Sequence, residues 1–275
     1  MAGNGSYGGG VSHVTFEMSD DVAIATTSNP PAELFDTGQI TGLREAVRMA
    51  TERHARAMVI KSDAPLFSGG ADVGTVFRGR SQQEGHDLLS GGMDMIAELE
   101  DAPFPVIAAV NGLCFAAGLE VALACDFIFA ADDTTFSQVE AMIGATTFLG
   151  GVYRLAERCG PAIAREIVYT ADRYTAEQFA RWHIVNRVVP AGELHQTAFD
   201  VARKIASGPA LAHSQTKRLV RHALTHDSRA ADRLVLDEST SLYETRDLQN
   251  AVGRLVDDGA RKFLANHHEI VFEGR

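Results

Sequence analysis

Cysteine is scarce in this chain: three in 275 residues, Cys114, Cys125 and Cys159, with no C-x-x-C pair among them. That spacing argues against a disulfide framework and offers no metal-ligand pattern, so reduced, mostly buried thiols of a cytoplasmic protein are expected. No apolar run is long enough to span a membrane, and the opening MAGNGSYGGG has neither the basic start nor the apolar stretch of a secretory signal. Residues 1–10 are therefore expected to form a flexible tail. Basic side chains are outnumbered, with 25 Lys plus Arg against 36 Asp plus Glu and a net charge of -11. A surface of that sign argues against nucleic acid and against an anionic membrane as partners. An anionic ligand then has to be held by local groups. There is no internal repeat and no low-complexity linker. A G-x-S-x-G nucleophile elbow is missing too, since Leu66 stands where Ser68 would need a glycine.

What is present is an ordinary globular composition, 45% hydrophobic and 22% charged, enough for a substantial core. Short apolar runs at 22–27, 57–62, 105–110, 126–131 and 186–190 read as strands. Helical patterns at 41–53 and 86–101 lie between them, so strands alternate with helices and the class is α/β. Pro103 and Pro105 punctuate the entry to the third strand, and Asn111-Gly112 ends it in a turn. From about Leu194 onward the sequence is almost all amphipathic helix, with Phe199, Ile205, Leu219, Leu224 and Leu236 at helical spacings. Such helices suit packing on the core or on a neighbouring subunit.

Two glycine-rich turns follow strands: LFSGGADV at 66–73, and the stretch from Asn111 to Gly118, which runs into a helix bearing Glu120. Glycine and alanine let backbone N–H groups approach a ligand closely, and a helix N-terminus favours negative charge. Together the turns suit an oxyanion hole; taken singly, either is ordinary strand-to-helix punctuation. Glu120 is the only ionisable side chain in AAGLEVALAC, 116–125, where burying an unpaired carboxylate is costly. Glu140 closes a second motif, FSQVE at 136–140. The plain alternatives are a first-turn acid complementing its helix dipole for Glu120 and a surface carboxylate for Glu140.

In order and spacing, LFSGGADV, FPVIAAVNGLCFAAGLEVALACDFIFAADDTTFSQVE, GGVYRL, TAEQFARWHIVNRVVP and KFLANHHEIVFEGR resemble the crotonase superfamily, the enoyl-CoA hydratases and isomerases. The resemblance covers nearly the whole chain after its glycine-rich start. It implies a crotonase-like α/β fold, with a spiral of ββα units over residues 11–193. The C-terminal helical region, 194–275, would then assemble homotrimers, commonly as dimers of trimers. It also implies an acyl-CoA substrate, of which coenzyme A is a part, with no metal and no redox cofactor. The two N–H groups that hold the thioester oxygen fall on Ala71 and Ala117, and the two glutamates that face one water fall on Glu120 and Glu140. Substrate contacts are expected at Ser68, Gly70, Ala71, Asp72, Val73, Ala117 and Phe148.

Retention of both carboxylates favours enoyl-CoA hydration, in which water adds across a 2-trans-enoyl thioester. The alternatives are isomerisation or thioester hydrolysis resting mainly on Glu140, or acyl-CoA binding without turnover. Two carboxyls in one dry pocket do not ionise together easily, so a coupled pair with one pKa raised is expected, one group acting as acid and the other as base. Three positions depart from the family's usual pattern. Thr147-Phe148-Leu149 replaces Pro-Gly and a small residue, placing a phenyl ring where it narrows the acyl pocket, displaces the water or simply packs in the core. Val139 replaces a proline, and His183 a glycine. Residues 74–83 and the helix after them are expected to line the acyl pocket. Asp72 is expected to organise its turn, Trp182 to pack, and His54, His267 and His268 to be solvated, lacking metal spacing. For the coenzyme A phosphates, Arg261 and Lys262 are candidates, because the family's C-terminal basic position falls on Asn266.

Overall fold

The computed structural model describes residues 12–274, so the expectation for residues 1–10 lies outside it. Eleven strands are formed among the described residues: β1 (Val14–Ser19), β2 (Val22–Thr27), β3 (Leu34–Phe35), β4 (Ala57–Ser62), β5 (Gly70–Ala71), β6 (Val106–Val110), β7 (Leu113–Phe115), β8 (Phe127–Ala131), β9 (Thr135–Ser137), β10 (Tyr174–Thr175) and β11 (Arg187–Val189). All five strands read from the sequence join β1 in one sheet, ordered β1-β2-β4-β6-β8-β11. Only the β1–β2 pair is antiparallel; the other neighbours run parallel. A parallel sheet is covered on both faces, which is why its inner strands are continuous apolar runs rather than alternating ones.

The helices are α1 (Thr37–Glu52), α2 (Val73–Val76), α3 (Gln82–Asp101), α4 (Ala117–Ala124), α5 (Gly151–Cys159), α6 (Pro161–Thr170), α7 (Ala176–Arg181), α8 (Leu194–Ala206), α9 (Ala210–Thr225), α10 (Ser228–Asp237) and α11 (Arg246–Asn266). Helices α1, α3 and α4 bury Leu43, Leu99, Leu119 and their neighbours in the main core. The opposite face of the sheet is covered by α8 through Leu194, Ala198, Ala202 and Ala206. The first helix after residue 193 thus packs on the core, one of the two roles its pattern allowed. Helix α9 is pinned by Lys217, whose Nζ donates to Asp126 Oδ2 at 2.8 Å and to the carbonyls of Leu99 and Phe104 at 3.0 and 3.2 Å. Beyond that anchor, α9 and α10 bury no residue, and Leu224, Leu236, Val256 and Leu264 are exposed. Among the described residues no helix is long and apolar enough to cross a membrane.

Two small sheets set the site. In one, β3 pairs with β5, and in the other β7 and β10 flank β9. A bridge between Ser68 and Cys114 ties the two together, so the ends of β5 and β7 emerge side by side. One end leads through Asp72 into α2, and the other through Ala116 into α4.

Candidate active site

The two N–H groups named from the sequence sit where these turns meet. Ala71 ends β5, and Ala117 is the first residue of α4. Ala116 before it has φ 47° and ψ -121° and supplies no side-chain cap. The first-turn N–H groups of α4 therefore have no side-chain acceptor, the usual means of satisfying them. Gly70, at φ +102°, brings the second turn close: a Cβ there would lie 3.1 Å from the Ala116 Cβ. Behind this junction the buried Ser68 hydroxyl donates to the Glu33 carbonyl at 2.8 Å and accepts from the Gly70 N–H at 3.1 Å. Asp72 caps α2, accepting from the N–H groups of Gly74 and Thr75.

Glu120 projects from the first turn of α4 and is only 2% exposed. Its Oε1 accepts hydrogen bonds from the N–H groups of Leu149 and Gly151, each at 2.8 Å. Gly151 opens α5, so the carboxyl group sits at a helix N-terminus. No larger residue fits there, since a Cβ on Gly151 would lie 2.9 Å from Glu120 Cγ and 2.6 Å from the Gln138 side-chain amide. Burial pushes the Glu120 pKa up to about 7, against the pull of the Gly151, Leu149 and Phe148 N–H groups and the Arg154 charge.

Glu140 begins a 3-10 turn, Glu140–Ile143, and is 7% exposed. Burial pushes its pKa up to about 7 as well; its own backbone N–H opposes the rise, and the charge of Glu120 adds to it. Both carboxyls are therefore raised, rather than one, because both have lost most of their water. The wholly buried Gln138 accompanies Glu140. With its amide turned to satisfy both groups, its nitrogen donates to Glu140 Oε1 and Oε2 at 2.9 and 3.0 Å.

One cavity of about 140 Å³ gathers these groups. Gly70, Ala71, Val73, Ala117, Glu120, Glu140 and Phe148 line it, whereas Ser68 and Asp72 are off its lining and hydrogen-bond within the turns that form it. Val76, Phe77, Leu88 and Leu89 also line it, and they come from the region expected to hold an acyl group. Arg261, Lys262 and Asn266 do not line it; Lys262 pairs with Asp258 across the kink that Gly259 makes in α11. His183 takes φ +62°, a conformation that favours glycine, in the turn after α7. Sequence reasoning gave no role to Gln138 or Arg154. The one available signal for Gln138 was an uncharged polar side chain two residues before Glu140 in FSQVE; for Arg154 it was a cation within GGVYRL.

The arrangement sets main-chain donors and two buried carboxyls with raised pKa values around one apolar chamber, which suits stabilising charge on a carbonyl oxygen while protons move nearby. The family described as enoyl-CoA hydratase/isomerase matches residues 17–264. The carnitinyl-CoA dehydratase of Salmonella arizonae is 37% identical over 198 residues, 71% of this chain and 75% of that protein. The solved structure of an enoyl-CoA hydratase from Bacillus anthracis superposes with a TM-score of 0.86 at 22% identity, covering 96% of this chain and 100% of that one. DspI of Pseudomonas aeruginosa superposes with a TM-score of 0.84 at 26% identity, covering 93% and 98%.

Proposed function

This chain belongs to the enoyl-CoA hydratase/isomerase family, and on that premise we propose that it reversibly adds water across the double bond of a 2-trans-enoyl-CoA. The observation that carries the reading is the pair Glu120 and Glu140, both buried, both pushed up to about 7 and both lining one cavity. Near neutral pH such a pair holds about one proton between them, so one carboxyl takes a proton from water while the other supplies one to the α-carbon. As hydroxide attacks the β-carbon, negative charge grows on the thioester oxygen, where the Ala71 and Ala117 N–H groups stabilise it. The reverse reaction uses the same groups, and the Salmonella relative is named a dehydratase. Proton transfer and charge stabilisation are then the work of side chains and backbone, and call for no metal or redox cofactor.

The same premise extends to assembly, as a homotrimer or a dimer of trimers. Exposed Leu224, Leu236, Val256 and Leu264 on α9, α10 and α11 support an interface there. Three free cysteines, two of them buried, fit a reducing, cytoplasmic setting. The test of the activity is a turnover screen of crotonyl-CoA and longer enoyl-CoAs, read by loss of the conjugated thioester absorbance. Hydration of at least one supports the reading; tight binding without turnover of any overturns it.

A further inference from the structure

We propose that Phe77 and Phe148 close the acyl end of the cavity, restricting it to short acyl groups of about four carbons that carry no negative charge. The proposal rests on the reading that the cavity holds an acyl-CoA thioester, but not on turnover. The two rings come from separate segments. Phe77 ends α2, just beyond the Ala71 turn, and Phe148 comes from the loop whose next residues hold Glu120. Their centroids are 5.4 Å apart with a 39° tilt, a packed aromatic pair. Val76 and Leu88 join them on the lining of the same cavity.

Size sets the limit. A cavity of roughly 150 Å³ takes up one benzene-sized molecule, and a water fills about 30 Å³. The chamber of about 140 Å³ has to hold the acyl carbons and the reacting water together. A butenoyl group and one water fill that space, and each added methylene has to push a ring aside. Charge sets the second limit. Among the described residues, the carboxyl-bearing side chains on the lining are Asp36, Glu120 and Glu140, and no Lys, Arg or His is on it. A carboxylate at the far end of an acyl group would therefore be desolvated with no cation to pair it.

An open apolar channel gains affinity with every methylene, so a closed one is recognised by the opposite trend. Calorimetric titration of the full chain with the unreactive butyryl-, hexanoyl-, octanoyl- and glutaryl-CoA reads that trend directly. Butyryl-CoA is expected to bind at least tenfold more tightly than octanoyl- or glutaryl-CoA. In Phe77→Ala, and in Phe148→Leu as a milder change, octanoyl-CoA is expected to gain at least tenfold while glutaryl-CoA stays weak. Octanoyl-CoA matching butyryl-CoA in the unaltered protein, or a trend unmoved by both variants, overturns the proposal. No binding of any of the four overturns the acyl-CoA reading along with it. The expected trend without hydration of crotonyl-CoA upholds the proposal and rejects only the hydratase reading.

Discussion

Glu120 and Arg154 grip the same residue from opposite sides. The Leu149 N–H donates to Glu120 Oε1 at 2.8 Å, and the Leu149 carbonyl accepts from Arg154 Nη1 at 2.9 Å. Arg154 Nε in turn donates to Glu100 on α3, whose other oxygen is bonded by Arg221 of α9. Hydrogen bonds bridged by the Leu149 backbone therefore link the buried carboxyl to α9. Arg154→Met is expected to lower kcat/KM by about tenfold or more, since loss of alignment costs rate steeply. It is also expected to move the Glu120 limb of the pH profile upward, because the guanidinium charge favours the ionised carboxyl. Arg154→Lys should restore part of the pH shift; a purely structural role would leave both limbs in place.

The rate itself should be bell-shaped in pH. With both carboxyls pushed up to about 7, the productive form, one protonated and one ionised, is most abundant near neutrality. Activity should fall on the acid side as the base is lost and on the alkaline side as the acid is lost. A steady-state profile of kcat/KM from pH 5 to 9 checks this.

Stability should move the other way from an ordinary salt-bridged acid. The folded state binds the Glu120 proton more tightly than the unfolded chain, whose carboxyl has the usual value of 4.5. Stability therefore declines as pH rises from about 4.5 to about 7 and levels off above. Glu120→Gln keeps an oxygen for the Leu149 and Gly151 N–H groups and removes the buried charge. At pH 8 it should be more stable than the parent by on the order of 3 kcal/mol, read from urea midpoints.

Gln138 is expected to hold Glu140 in its ionised form through two N–H donations. Gln138→Met removes them at similar volume, so the Glu140 limb of the pH profile should rise and kcat fall, with KM little changed. Steady-state kinetics across pH separate this from a loss of folding.

Much of this was legible in the chain itself. The five central strands showed as unbroken apolar runs because a parallel sheet buries both faces, and Glu120 stood out as a lone charge in such a run. The minor strands did not show. Strands β3, β5 and β10 are two residues long, held by pairings remote in sequence, and too short to carry a period. Ser68 sat in the right motif, but its hydroxyl turns inward to the Glu33 carbonyl. Such a direction depends on the fold and not on the motif. Gln138 and Arg154 were hidden for the same reason, since each acts on residues that only tertiary packing brings near.

The most direct test is hydration of crotonyl-CoA at pH 7 by the unaltered protein, Glu120→Gln and Glu140→Gln, with butyryl-CoA binding measured alongside. Both variants should lose about 10²–10⁴-fold in kcat while still binding butyryl-CoA. Near-full turnover by Glu120→Gln, with only Glu140→Gln inactive, would contradict a shared water held by two carboxyls.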